Sequence, residues 1–330
     1  SDFDTVPVIE KINLIKQLEQ LILENQWVKQ VQSTIYQEVD SQTTIVNSKG
    51  LNLSRHVTYA YAYAIGVFQK DEDIKTAYDV KLAKKFSDFD VKEMAAKTIK
   101  QGVSKLGGTS IPTGSYPVVF SNEMVSDILG VFSTIFSGES AYRNLTPLKD
   151  KVNTQVFGQN INLIEDPLHP ESHFQIPFDD EGVACYKRHV IEKGVFKGFN
   201  HNLKTASIFK QEPTGNSFGG RISNTNFYIE PTQTSFDEMI KDISDGVYIT
   251  DLVGLHAGVK TVSGDFSLQA GGFKIKDGKI DHAVKMIVVS GNFFKMMNQV
   301  EGIANDLKFD LSGIGSPSIY IKELVIGGEA

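Results

Sequence analysis

GDFSLQAGGFKIKDGKIDHAVKMIVVSGNFFKMMNQVEGIANDL, residues 264–307, decides the architecture of the C-terminal half. Phe266, Leu268 and Ala270 alternate with polar residues, and Phe273 and Ile275 alternate one register out of step. A strand sends successive side chains to opposite faces, so this is one strand with an irregularity at Gly271-Gly272, read as a β-bulge. Lys276-Asp277-Gly278-Lys279 then separates two apolar runs. Asp-Gly suits the two positive-φ positions of a type I′ turn, so the chain returns as a hairpin. The stretch ends in a short amphipathic helix.

Working outward, Glu192-Lys193-Gly194 also lies between apolar runs, and the chain after residue 150 is strand-rich and punctuated by glycine. Towards the N-terminus the period changes. Val8, Ile9, Ile12, Ile15, Leu18 and Ile22 recur at helical spacing and predict a helix over 6–24. From Trp27 to Gln69 the period is two, with the best strands at 43–46 and 52–68 and a turn at Ser48-Lys49-Gly50. Tyr59, Tyr61 and Tyr63 would share one face, with alanines on the other. Helical spacing returns over 91–106 and stops at Gly107-Gly108.

Residues 107–117, rich in Gly, Thr, Ser and Pro, read as a linker between domains at 1–110 and 111–330. The second domain opens with a strand at 117–120. Ser121 then caps a helix over 122–136, whose inward stripe is apolar and which Gly138 closes. The predicted class is α+β: an N-terminal antiparallel sheet with packed helices, followed by a larger β-rich domain of hairpins with a few helices.

The chain has 330 residues, 41% apolar and 22% charged, and a net charge of −7. These values fit a globular protein and disfavour a nucleic-acid surface, which presents basic patches. One cysteine, Cys185, allows no intrachain disulfide, which fits a reducing cytoplasm. The opening SDFDTVPVIEKI lacks the apolar region of a signal peptide, and no run approaches the ~20 apolar residues that span a bilayer. The expectations are a cytoplasmic location, no membrane and no nucleic acid.

Candidate chemistry is sparse. Seven histidines are present, and only His169 and His173, in DPLHPESHF, are near one another. They read as a solvated polar loop, since a catalytic zinc site needs three convergent ligands. No HExxH occurs. Asp179-Asp180-Glu181-Gly182 reads as a turn entering a hairpin, because consecutive carboxylates diverge. Cys185 reads as a buried, inert member of a strand, about 13 Å along it from His189 at ~3.3 Å per residue. The segment 215–220 is glycine-rich but lacks a Walker lysine, and reads as a loop.

The stretches PTGSYPVVF (112–120), SGESAYR (137–143), FDDEGVACYKRHVIEKGVFKGF (178–199), PTGNS (213–217), GDFSLQAGGFKIKDGKI (264–280), SGNFF (290–294) and GIANDL (302–307) together resemble the TldD/PmbA family, once described as modulators of DNA gyrase. The likeness covers about 111–328 well and is weaker over 1–110. The TldD branch resembles a zinc metallopeptidase with an HExxxH helix and a distant cysteine ligand. Aligning that helix on Ser137-Gly138-Glu139 puts Leu129, Gly130 and Thr134 at the positions of the first histidine, the glutamate and the second histidine. LSGIGSPS (311–318) has no cysteine.

The resemblance therefore implies the PmbA/TldE-like branch: a non-catalytic subunit that binds no metal itself and pairs with a zinc-bearing TldD-like catalytic subunit. It implies small, poorly structured peptides as substrates, peptide antibiotics and antitoxins among them, and a homodimer in isolation. Family members usually carry further sequence before the equivalent of Asp2, so the N-terminal domain is expected to be a shortened form. For the substrate cleft the expectation falls on His256, Gly258, Gly264, Asp265 and Phe266. Glycine lets a backbone approach a ligand, Asp265 offers a polar contact and Phe266 an apolar one. The competing readings are an autonomous metallopeptidase using His169, His173 and an acid from 179–181, and a stand-alone regulatory protein such as a gyrase modulator.

Overall fold

The computed structural model describes residues 1–329. It contains two compact units. Unit 1 comprises 1–44 and 54–108, and unit 2 comprises 45–53 and the residues from Thr109 onward. No described helix is long and apolar enough to cross a membrane.

Unit 1 is built from α1 (Val8–Leu23), β1 (Val28–Val46), β2 (Asn52–Lys70), β3 (Asp73–Ala77), β4 (Lys81–Ala83) and α2 (Val91–Ser104). Strand β2 is central, with β1 on one side and β3 and β4 paired antiparallel to it. The predicted alternation is present: Ala60, Ala62 and Ala64 are buried, and the rings of Tyr61 and Tyr63 stack at 6.4 Å on the other face. Small alanines let Leu14, Leu18 and Ile22 of α1 and Met94 and Ala95 of α2 join one core with the sheet. Two expectations change. Strand β1 is 19 residues long, far beyond 43–46. Val8, Ile9 and Ile12 stay exposed, so only the later turns of α1 reach the core.

Unit 2 opens with β5 (Gly114–Phe120), α3 (Asn122–Phe132) and α4 (Gly138–Tyr142). Then come β6 (Leu163–Glu165), β7 (Arg188–Glu192), β8 (Val195–Phe196), α5 (Leu203–Phe209), β9 (Ser217–Phe218), β10 (Arg221–Ile222) and β11 (Phe227–Ile229). The remainder is α6 (Phe236–Ile240), β12 (Asp245–Val253), β13 (Asp265–Lys276), β14 (Lys279–Asn292), α7 (Phe293–Met297), β15 (Val300–Ile303), β16 (Lys308–Phe309), β17 (Ile314–Ser316) and β18 (Ile319–Gly327).

The opening stretch of the sequence forms the long β13–β14 hairpin. Asp277 and Gly278 both have positive φ, 48° and 72°, as a type I′ turn requires. The irregularity at Gly271-Gly272 is present, but the extra residues lie in the neighbours. Strand β12 shifts register between Ile249 and Asp251, and β14 between Val284 and Ile287. A Cβ on Gly272 would collide with the Tyr248 carbonyl oxygen, so a glycine is needed where β12 crowds in.

The sheet runs β14-β13-β12-β5-β18-β15, and β14 also pairs with β18, so the path closes on itself as a barrel. Residues 107–117 are thus only partly a linker, because from Gly114 the chain is an inner strand of the barrel. Pro117 is tolerated there because β18 shifts register opposite it, between Ile321 and Leu324. The displaced Lys322 N–H donates instead to the Gln299 carbonyl.

A second sheet runs β16-β17-β11-β6-β7-β8. Helix α3 packs against β17 of this sheet and against β12 and β5 of the barrel. Met124, Val125, Ile128, Leu129 and Phe132 are buried in the core that joins all three. Phe132 stacks on Phe293 at 4.2 Å between ring centres. Ser121 caps α3 by accepting from Met124 N–H, as expected. Its end differs from expectation: residues 133–136 tighten into a 3-10 turn, and Gly138 begins α4 instead of closing α3. Leu129 is 2% exposed. Truncating it to alanine removes buried methyl groups from the junction of two sheets, and is expected to cost about 3–5 kcal/mol. Urea unfolding of Leu129→Ala against wild type checks this; a loss under about 1 kcal/mol would show that the helix is not structurally central.

Candidate functional site

Of the expected cleft residues, Gly264 and Asp265 belong to one local structure. Gly264, with φ of 87°, ends a tight turn in which its N–H donates to the Lys260 carbonyl, and its own carbonyl accepts from Phe293 N–H at 2.7 Å. Asn292 caps α7 by accepting from Phe294 and Lys295 N–H, while its amide donates to Asp265 Oδ1 and the Ser263 carbonyl. These bonds, first from Asn292 and then from Ser263, hold the exposed Asp265 carboxyl below its usual range. Gly258 lies where Ser267 N–H reaches its carbonyl, and a Cβ there would strike the Ser267 oxygen. His256 is exposed on the same loop.

Phe266 differs from expectation. Its strand parity, shared with Leu268 and Ala270, buries it in the main core, so its ring meets interior side chains and offers no wall to a peptide. The aromatic next to this turn is instead Phe294, two residues beyond Asn292. It lines a groove of about 360 Å³ with Pro147, Leu148, Lys151, Gln155 and Val156.

A second polar constellation was not anticipated from the sequence. Glu165 at the end of β6 and Arg188 at the start of β7 are directly opposed in antiparallel register. Glu165 is 2% exposed. Its Oε1 accepts from Asn216 Nδ2 at 3.0 Å and from the Thr225 N–H and hydroxyl. Asn216 Oδ1 accepts from the Thr214 hydroxyl, which also accepts from His201 N–H at 2.7 Å. His201 Nδ1 lies 3.0 Å from Thr205 Oγ1, and a Cβ on Gly138 would come within 2.5 Å of that nitrogen. Residues 136–138 and Asn200 exchange backbone bonds, so this centre abuts the segment that follows α3. Within this centre, the buried polar atoms left without partners are Glu165 Oε2, Arg188 Nε and Nη2, and Asn200 Oδ1.

Burial dominates the electrostatics. It raises the Glu165 carboxyl pKa, against the pull of Thr225, Arg188 and Asn216. It lowers the Arg188 value, against the pull of Glu165. It carries His201 down to about 4, helped by the charge of Arg188, so the imidazole is neutral at pH 7. The PTGNS stretch acquires a physical role here. Thr214 and Asn216 link His201 to Glu165, Gly215 accepts from Cys185 Sγ, and Ser217 N–H donates to Asp179.

The other sequence candidates are occupied by structure. Asp179 is buried and accepts from Glu181, Val183 and Ser217 N–H, Asp180 accepts from Gly219 N–H, and Glu181 accepts from Leu203 N–H. The carboxylate run is therefore a turn, as its composition predicts. Residues 217–222 form a small β9–β10 hairpin instead of a plain loop. Cys185 is buried but precedes β7, so it is not a strand residue. His169 is half-buried between the rings of Tyr228 and Phe309, a packed position more than a solvated one. Among the described residues no group of three or more His, Cys, Asp or Glu is arranged to hold a metal.

Leu129, Gly130 and Thr134 offer no zinc donors. Leu129 is core, Gly130 has no side chain, and Thr134 is exposed in the 3-10 turn. The acid nearest them on α3 is Asp127. Its carboxyl is raised to about 6 by burial and then by Asp310 and Glu123. Residues 314–316 are the buried strand β17. These groups do not fit a zinc ion.

A barrel and a second sheet clamped on one apolar helix, preceded by a helix-backed antiparallel sheet, is the architecture of the TldD/PmbA fold. Residues 113–328 match the model of the PmbA/TldA metallopeptidase C-terminal domain, and 1–106 that of the central domain. The chain belongs to the PmbA/TldD family. A solved Thermotoga maritima structure, described as a candidate modulator of a DNA gyrase, superposes with a TM-score of 0.94 at 32% identity, over 98% of this chain and 76% of that one. TldE from Thermococcus kodakarensis shares the fold, with a TM-score of 0.86 at 23% identity over 96% of this chain and 74% of that one. The metalloprotease PmbA homologue of Buchnera aphidicola is 27% identical over 88% of this chain and 67% of its own length. Metalloprotease PmbA of Escherichia coli O157:H7 is 27% identical over 80% and 57%. The chain thus spans roughly three-fifths to two-thirds of the length of these two curated relatives.

In the folded protein the His201 ring is expected to titrate near pH 4, followed by its Cε1–H resonance. The folded value lies below the unfolded value of about 6.5, so the unfolded chain binds the proton first as pH falls. The contribution of this site to stability is complete above about pH 6.5 and is lost towards pH 4. Glu165 acts in the opposite sense, so the His201 part is the difference between wild type and His201→Gln, whose stability should fall less steeply with acidification. A His201 midpoint of about 6 or above would refute the burial argument.

Proposed function

We propose that this chain is the non-catalytic, PmbA/TldE-like subunit of a cytoplasmic zinc metallopeptidase pair that processes small unfolded peptides. The observation that carries the reading is the chemistry at 129–134. Where the resemblance to the TldD branch expects histidine, glutamate and histidine, this chain has a core leucine, a glycine and an exposed threonine. A catalytic zinc needs three protein ligands and a general base near its water, and these side chains supply none. The metalloprotease names of the bacterial relatives, and the zinc metalloprotease TldD homologue of Saccharolobus solfataricus at 27% identity, support a peptidase context. In that context zinc and hydrolysis belong to a TldD-like partner, and this chain completes the peptide channel. In isolation it pairs with itself.

The purified chain is expected to carry no stoichiometric zinc and to hydrolyse no unstructured peptide. Co-expression with a TldD-like chain from the same source should yield a complex with peptidase activity. Zinc at one equivalent that is lost in His173→Ala, together with activity of the chain alone, would replace this reading with an autonomous enzyme.

A further inference from the structure

Glu165 and Arg188 leave buried polar atoms of opposite character without partners on adjacent strands. Nε and Nη2 form one edge of the guanidinium, two parallel N–H groups whose spacing matches the two oxygens of a carboxylate. Arg188 is partly exposed as a residue, yet both these atoms are buried. The Glu165 carboxylate does not fill that edge. Its Oε1 is turned to Asn216 and Thr225, and no ion pair within 4.0 Å forms between the two side chains. An unsatisfied buried guanidinium edge is destabilising, so this arrangement calls for an occupant.

The paired N–H edge asks for two coplanar acceptor oxygens, and charge agrees with that choice. Oε1 already accepts three hydrogen bonds, so a proton on this carboxyl sits on Oε2. Burial favours that neutral form. Arg188 then carries the net charge of the pair, and neutral His201 adds none. An anionic group with two coplanar oxygens can accept from Nε and Nη2 and from the Oε2 hydroxyl, leaving the enclosed centre neutral. A single carboxylate meets that requirement.

We propose that Arg188 and Glu165 form a receptor for the C-terminal carboxylate of a peptide, taken bidentate by Arg188 Nε and Nη2 and closed by Glu165 Oε2. The site abuts residues 136–138, directly after the helix on which the zinc branch carries its motif. Tyr186, 47% exposed, lies close enough to act on the Arg188 charge. The ligand class rests on the proposed peptide-handling role. The site itself is tested without a partner subunit or hydrolysis, so its failure would leave the paired-peptidase assay standing, and failure of that assay would leave the binding result standing.

The experiment titrates the isolated, unmodified chain with N-acetyl-Ala-Ala, and separately with its C-terminal amide, following the Arg188 Nε–H resonance by NMR and heat by calorimetry. The acid should move the Arg188 Nε–H signal saturably, and the amide should bind about tenfold or more weakly. Arg188→Lys keeps the charge but lacks the paired edge, and should weaken acid binding by about tenfold or more. An unmoved Arg188 signal at millimolar acid, equal binding of acid and amide, or unchanged affinity in a folded Arg188→Lys would each overturn the assignment. Should Arg188→Lys fail to fold, the wild-type resonance and the acid–amide comparison still decide.

Discussion

Helix α3 presents an apolar stripe to both sheets, because it fills the space between the barrel and the second sheet of unit 2. Leu129 and Phe132 point into the common core, and Phe132 stacks on Phe293 of α7. The local course of the chain after α3 accompanies this clamp. The α-helical turns end at Phe132, the next four residues tighten into a 3-10 turn, and Ser137 caps a new helix by accepting from Glu139 N–H. At the three positions where the resemblance to the TldD branch expects zinc chemistry, this chain has a core leucine, a glycine and an exposed threonine, so here the segment serves packing. Putting an ionisable side chain at Leu129 would mean burying it in the main core, at a cost that only a metal, an opposite charge or hydrogen bonds could offset.

The polar centre beside this segment has the opposite character. Buried polar groups stabilise only when satisfied, and a half-satisfied network is worse than an apolar one. Most of this network is complete: Glu165 Oε1, Asn216, Thr214 and the His201 backbone form a continuous chain of bonds. The residual atoms on Glu165 and Arg188 are therefore the exception inside an otherwise closed design. Removing one member of this chain of bonds would leave a buried donor or acceptor of its neighbour unpaired, which ties Glu165, Asn216 and Thr214 to one another whatever the site binds.

Much of the fold was legible because local rules and global packing agree. Asp277-Gly278 and Lys193-Gly194 both adopt positive φ, and the alanine face of β2 is buried. The α3 cap at Ser121 is where its sequence places it. What stayed hidden depends on long-range pairing. Nothing local tells that β14 meets β18, or that residues from Gly114 form an inner strand, since Pro117 argues for a loop until the register shift in β18 is seen. The length of β1 was masked by its polar composition, which suits a strand with little burial. The site was harder still. Phe266 followed strand parity into the core, and the same parity was the missed clue to the polar centre. Leu163 and Glu165 share a face, so a charge in that register had to point inward.

The signature at 264–307 can now be divided by what each residue does. Gly264 makes a turn, Gly272 admits a crowding strand, and Asn292 caps a helix while holding Asp265. Their hydrogen-bonding capacity is largely consumed within the chain, so these residues identify the scaffold and have little left for a ligand. The reverse holds at β6 and β7, where a glutamate ends one strand and an arginine opens the next, with buried polar atoms on both. Resemblance therefore reads most strongly where the backbone is most constrained. Capacity for binding lies where buried polar atoms remain unspent, and in this chain the two fall on different sheets.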